Sequence, residues 1–173
     1  MPVHIRPALA DDAPLLPSIE LSAAHVFRHI DGLSWLADTP TMSIERHRQL
    51  IGLSTCWVVV DADAQPQGFL SAERQGDALH IHEVSVAQSI QGQGWGRKLV
   101  ETAMDCARSY PLRAVTLTTF KHVPWNAPFY SRLGFQPEGD KRLADILADE
   151  YAHGFEAGSR CAMTWWVSPS KGA

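Results

Sequence analysis

The chain has 173 residues, 45% of them hydrophobic and 20% charged, with a formal net charge of −4. That length is enough to bury a core without disulfides or a metal, and the expected organisation is one domain over 1–173. The acidic balance argues against nucleic acid as a partner, and no apolar run approaches the ~20 residues of a membrane span.

The N-terminal "MPVHIRPALADD" has no apolar core of an export signal. The three cysteines, at 56, 106 and 161, are odd in number and show no CxxC spacing. A disulfide framework or zinc site is therefore not expected; buried structural thiols in a reducing cytoplasm are.

In chain order, Val3–Ala8 predicts a first strand. Asp11 and Asp12 are placed to cap a helix over about 12–25, with Pro14 and Pro17 crowding its first turns. Residues 26–42 are ambiguous, broken by Gly32 and Pro40. Ser43 and Arg46 bracket the start of a second helix, "SIERHRQLIGL". Cys56–Ala62, Gly68–Gln75 and Ala78–Ala87 read as three strands joined by tight turns, an antiparallel meander. After a glycine loop, Val100, Ala103, Met104 and Ala107 mark one apolar helix face, and Tyr110-Pro111 ends that helix. Arg113–Phe120 is the next strand. A strand, a helix of this length and a strand make a βαβ unit, so the strands before and after the helix are predicted parallel.

"WNAPFYSRLGF" reads as a short helix, with Asn126 as N-cap, Pro128 in the first turn and Gly134 as the stop. Phe135–Pro137 is expected to start one more strand. Leu143, Ile146, Leu147, Tyr151 and Phe155 mark an extra amphipathic helix. Arg160–Val167 is the last strand, with Trp165 and Trp166 at core and edge positions. The fold class is mixed α/β: a single sheet with helices on both faces.

The loop "SIQGQGWGRKLV" sets three glycines, 92, 94 and 96, at the mouth of a helix. A helix N-terminus carries unpaired N–H groups and partial positive charge, and missing Cβ atoms let a phosphate approach them. A tight turn with no ligand is the plainer alternative. A P-loop is disfavoured because Leu99 follows Lys98 where Ser or Thr should hold magnesium. A dinucleotide fold is disfavoured because the loop comes in mid-chain and residue 112 is Leu.

Gln91-Gly92-Gln93-Gly94-Trp95-Gly96, after the strand "IHEVSVA" and opening a helix, resembles the signature of the GNAT superfamily, the acetyl-CoA-dependent N-acetyltransferases. Asn126, Tyr130, Gly134 and Phe135 after the next strand resemble that family's second element. The resemblance spans about residues 3–138 and the last strand. It implies the GNAT fold, a central mixed sheet whose two parallel strands splay apart after a bulge, flanked by helices. It also implies acetyl-CoA as co-substrate and no need for a metal. The pantetheine arm would enter the gap and pair with the backbone of Val84, Ser85 and Val86. The pyrophosphate would sit on the N–H groups of Gln91, Gly92, Gln93, Gly94, Trp95, Gly96 and Arg97, with Asn126 and Phe129 along the far side of the arm.

Acetyl transfer needs a neutral amine and a proton for the leaving thiolate. Tyr130 matches the family tyrosine that protonates the CoA sulfur; packing beside Phe129 and Leu133 is its plain alternative. Glu83, among apolar neighbours on the strand entering the loop, is the base candidate, or else it orients a water or the amine. His80 and His82 share the opposite strand face and are expected to be solvated or satisfied in the core rather than metal ligands. His122 is an outside candidate for proton relay. In the resembling family, residues 20–50 and 140–158 wall the acceptor site. The acids Asp140, Asp145, Asp149, Glu150 and Glu156 would suit a cationic amine, although a solvated helix face accounts for them equally. The expected function is N-acetylation of a small-molecule or peptide amine by direct attack in a ternary complex. Alternatives are a non-catalytic CoA-binding regulatory module and, last, a cysteine-dependent acyl carrier. Dimers are common in the family, so a homodimer is the arrangement it suggests.

Overall fold

The computed structural model describes residues 2–168, so the two ends of the expected 1–173 domain lie outside the described residues. Six strands form one mixed sheet in the order β1-β2-β3-β4-β5-β6. They are β1 (His4–Pro7), β2 (Cys56–Val60), β3 (Pro66–Gln75), β4 (Ala78–Val86), β5 (Ala114–Phe120) and β6 (Arg160–Trp166). The flanking helices are α1 (Leu16–Ala24), α2 (Ile44–Gly52), α3 (Trp95–Ser109), α4 (Ala127–Arg132) and α5 (Lys141–Ala152). The chain gathers into two compact units. One holds residues up to Glu73 with Ile81–Ala103; the other holds Arg74–His80 with residues from Met104 on.

In the first unit, β1 and β2 pair antiparallel, as do β2 and β3, with a bulge between Val59 and Val60. Leu16 and Ile19 of α1 bury against Val58, Val60 and Phe69. The predicted first cap is different from the one observed. Residues Ala10–Leu15 form a 3-10 turn ahead of α1, with Leu9 rather than an aspartate in the N-cap position. Asp12 instead lies inside the turn, where its carboxylate accepts from the Leu9 amide at 2.7 Å and from Arg6 of β1 at 2.7 and 3.0 Å. Burial pushes the Asp12 carboxyl up, but Arg6 and the Leu9 amide outweigh it and hold it below the usual range. The ambiguous 26–42 stretch forms 3-10 turns at His25–His29 and Ser34–Asp38. Ser43 caps α2 as expected, its hydroxyl accepting from the Arg46 amide at 3.1 Å.

In the second unit, parallel pairing joins Ala78, Leu79 and His80 to Ala114, Val115 and Thr116. The βαβ expectation is thus borne out, while β4 runs on to Val86 and β5 to Phe120. β6 pairs antiparallel with the whole of β5. The predicted face of α3 is buried at Val100, Ala103, Met104 and Ala107. Asp140 caps α5, accepting from the Leu143 amide at 3.0 Å.

Three expectations fail here. Phe135–Pro137 makes a single bridge, Gln136 to Thr164, not a strand; the Glu138 amide, which would make the next ladder bond, turns back onto the Gln136 carbonyl at 2.8 Å. Asn126 precedes α4 without a side-chain capping bond. Trp165 is half-buried rather than core, while Trp166 is exposed.

His47 of α2 is 0% exposed, its ring edge-on to Phe69 with centroids 5.1 Å apart. Neither ring nitrogen has a hydrogen-bond partner among the described residues. Burial therefore lowers its pKa from 6.5. As pH falls below the unfolded value, the unfolded chain takes up a proton that the folded ring resists, so this stability is present above that value and is lost toward acid pH. We expect His47→Leu to narrow the gap between urea midpoints measured at neutral pH and at mildly acidic pH. An unchanged gap would remove His47 from the acid sensitivity.

Candidate functional site

The glycine loop belongs to the first unit. β4 ends at Val86, a 3-10 turn spans Gln88–Ile90, and α3 starts at Trp95. Gly92 and Gly94 have φ of 78° and 86°, the left-handed region where Cβ is a liability. A Cβ built at either would meet nothing within 4 Å, so the space over the loop is open. Gly94 accepts the first helical bond, from the Lys98 amide at 3.2 Å. The amides of Trp95, Gly96 and Arg97 consequently belong to the helix's first turn, which has no carbonyl of its own to give them.

The loop's side chains are tied down locally. Gln91 Nε2 donates to the Val86 carbonyl at 2.9 Å, and the Gln88 amide donates to Ser22 Oγ at 3.1 Å. Arg97 pairs with Glu101 at 2.7 Å. Lys98 lies over the Trp95 ring, 4.3 Å from its centroid. Gly96 lies beside the end of β4, and a Cβ there would stand 3.9 Å from Val86 Cγ2, an ordinary contact.

On β4, Glu83 is half-buried and Oε1 accepts from the hydroxyl of buried Ser85 at 3.0 Å. His82 Nε2 lies 2.7 Å from Glu73 Oε1 of β3, and Arg46 of α2 reaches the same carboxylate at 3.3 Å. Val84 and Val86 are half-buried. Elsewhere in this unit, Glu20 of α1 is a partly desolvated carboxylate. Burial raises its pKa, while one oxygen accepts the Met42 amide at 2.8 Å.

The second unit carries the other predicted residues. Tyr130 of α4 is 8% exposed, its ring edge-on to Phe129 and Phe135 at centroid distances of 5.1 and 5.6 Å. Asn126 has φ −112° and ψ −114°, and its Oδ1 is buried with no hydrogen-bond partner among the described residues. An acceptor left in that state costs about 1–3 kcal/mol, which a ligand N–H would offset. His122 is exposed. His80 is satisfied in the core, its Nδ1 2.9 Å from Thr116 Oγ1.

The acids after residue 140 are largely spoken for. Asp140 is a cap, Asp145 pairs with Lys141 at 2.9 Å, Asp149 with His153 at 3.4 Å and Glu150 with Arg160 at 2.7 Å. Cys56 is buried, whereas Cys106 and Cys161 are only half-buried, and burial pushes all three thiols above their usual range. None is a ready thiolate. No group of His, Cys, Asp or Glu among the described residues is arranged to hold a metal.

Sequence reasoning missed Glu73, Glu20 and Arg142. Each meets its partner across a long stretch of chain, so spacing carries no signal for it.

A family model described as an acetyltransferase (GNAT) domain matches residues 52–137. Among solved structures, the chain resembles the PaiA N-acetyltransferase of Thermoplasma acidophilum in complex with coenzyme A. Identity there is 16% and the TM-score 0.71, covering 96% of this chain and 99% of that one. The ribosomal-protein-S18-alanine N-acetyltransferase of Escherichia coli gives 17% identity and a TM-score of 0.70, covering 97% and 96%. The phosphinothricin acetyltransferase of Sinorhizobium meliloti, in complex with AcCoA, gives 18% and 0.69, covering 99% and 95%. At such identities the likeness of these structures is one of fold.

The positive φ at Gly94 makes a direct prediction. Gly94→Ala should cost about 1–2 kcal/mol in urea denaturation through backbone strain alone, with no clash. Gly52→Ala, at an ordinary backbone conformation with equally open surroundings, should cost nothing. Equal stability of the two variants would contradict the strained-loop geometry.

Proposed function

The chain belongs to the GNAT acetyltransferases, and from that premise we propose that it transfers an acetyl group from acetyl-CoA to a primary amine of a small molecule or peptide. The observation that carries this is the opening of α3. Two left-handed glycines, with open space where side chains would stand, lead directly into first-turn amides at the end of β4. These groups suit a diphosphate by charge and by access. The buried, unpaired Oδ1 of Asn126 suits an amide N–H such as those of the pantetheine arm.

In this proposal the amides of residues 91–97 hold the diphosphate, with Gln91 acting chiefly by pinning the loop to Val86. The backbone of Val84, Ser85 and Val86, beyond the parallel register of β4, pairs with the arm, and Phe129 packs along it. Bound acetyl-CoA supplies an activated thioester. Glu83 takes the proton of the incoming ammonium, directly or through a water it orders, so that the neutral amine attacks in a ternary complex. Tyr130 donates its phenolic proton to the departing thiolate. Tyr130 is packed edge-on to Phe129 and to Phe135, which holds its ring in place. We place the reaction in a reducing cytoplasm, in one catalytic domain, with a homodimer as the assembly. A non-catalytic CoA-binding module on the same fold is the competing reading.

An assay of free CoA thiol release over a panel of amines tests the proposal. Wild type is expected to release thiol with at least one primary amine. Tyr130→Phe should lower turnover roughly 100-fold, within the range that general acid catalysis supplies, with unchanged acetyl-CoA affinity by calorimetry. Tight acetyl-CoA binding without release across the panel would favour the non-catalytic module.

A further inference from the structure

Helix α5 has no part in the scheme above, yet it reaches into the sheet with charged groups. Arg142 Nη2 donates to Thr116 Oγ1 at 3.1 Å, and its Nη1 donates to Gln75 Oε1. Thr116 Oγ1 in turn lies 2.9 Å from His80 Nδ1. His80 and Thr116 face each other in the last pair of the parallel register, and each is 3% exposed. Eight residues along the same helix, Glu150 accepts the hydroxyl of Thr118, the next residue on that side of β5.

The protons in the Arg142–Thr116–His80 chain follow from counting. A threonine hydroxyl has one proton and two lone pairs, and arginine only donates. Arg142 therefore occupies one lone pair of Thr116. If His80 Nδ1 carried a proton, it would fill the other. The Thr116 proton would then be buried with no acceptor among the described residues, at about 1–3 kcal/mol. A doubly protonated ring meets the same penalty. If Nδ1 is bare, the Thr116 hydroxyl donates to it, and the hydroxyl and Nδ1 are both satisfied. The nearby guanidinium also polarises the hydroxyl, which makes it a better donor.

We propose that Arg142 and Thr116 are positioning residues that hold His80 as the Nε2–H tautomer, so that α5 dictates which face of this imidazole can donate and which can accept. Resting on the acetyltransferase reading, this makes His80 a hydrogen-bond donor through Nε2 and removes it from the candidates for accepting the amine's proton. That task stays with Glu83 or the water it orders. The accessory helix thereby acquires a chemical role in the half of the sheet that carries β5.

Long-range proton–nitrogen NMR on the full chain labelled at histidine nitrogen tests this without any ligand, with His80→Gln identifying the signal. Wild type and Thr116→Ser are expected to show a protonated Nε2 and a bare, hydrogen-bonded Nδ1. The isosteric Thr116→Val should lose the hydrogen-bonded Nδ1 signature and mix the two tautomers. If that variant does not fold, Arg142→Leu should move the same signal toward mixing. A protonated Nδ1 in wild type, or a His80 spectrum that none of the folded variants alters, overturns the proposal. Absence of thiol release by wild type would overturn the acetyltransferase reading and leave the tautomer assignment to the NMR result.

Discussion

The first-turn amides of α3 are the resource on which the rest of the site depends, and their availability is a matter of backbone geometry. A helix always begins with N–H groups that its own carbonyls cannot satisfy. What varies is whether side chains or neighbouring strands use them. Here the chain leaves β4, makes one 3-10 turn and enters α3 through two left-handed glycines, so no cap side chain stands over the opening. Gly96 follows inside the helix, beside Val86, the last residue of β4. Gln91 closes the arrangement by returning its amide to the Val86 carbonyl. Strand end, turn and helix start thus behave as one piece, and the basic side chains at the rim are held by Glu101 and Trp95.

Much of this was legible because it rests on local rules. The i, i+3, i+4, i+7 spacing of Val100, Ala103, Met104 and Ala107 reported the buried face of α3, and Ser43 reported the start of α2, each within a few residues of chain. The parallel pair followed from a strand–helix–strand order that allows few topologies. The failures are also local in origin. Asp12 has the residue type of a cap, but it sits inside the 3-10 turn, where its carboxylate takes both the Leu9 amide and Arg6 of β1. Asn126 has the same chemistry, yet its backbone sits away from the geometry that would turn its side chain onto the helix. Phe135–Pro137 is apolar enough for a strand, but the Glu138 amide turns back onto Gln136 and the ladder stops after one bridge.

The polar ties were illegible for a different reason. His82 with Glu73 and Arg46, Arg160 with Glu150, and Arg142 with Thr116 join residues up to tens of positions apart, and no periodicity announces them. Each is partly buried, where the lower dielectric strengthens the contact and makes a missing partner costly. Arg160 is the densest case: it pairs with Glu150 at 2.7 Å and lies over both Phe120 and Phe155, at 4.5 and 4.6 Å from their centroids. The sequence pattern treated Phe155 as part of the helical stripe; it lies beyond the helix end and serves this stack instead.

The lone bridge between Gln136 and Thr164 exchanges two backbone hydrogen bonds of 2.9 Å each. Because β6 ends the strand order, that exchange occupies the outward amide and carbonyl of Thr164, two residues before the end of a border strand. Glu138 adds a side-chain bond to the indole of Trp166 at 2.9 Å. A border strand plugged in this way offers a stray β-segment only interrupted stretches, so this edge of the sheet carries its own guard against templated self-stacking at concentrations where a bare border would nucleate aggregates.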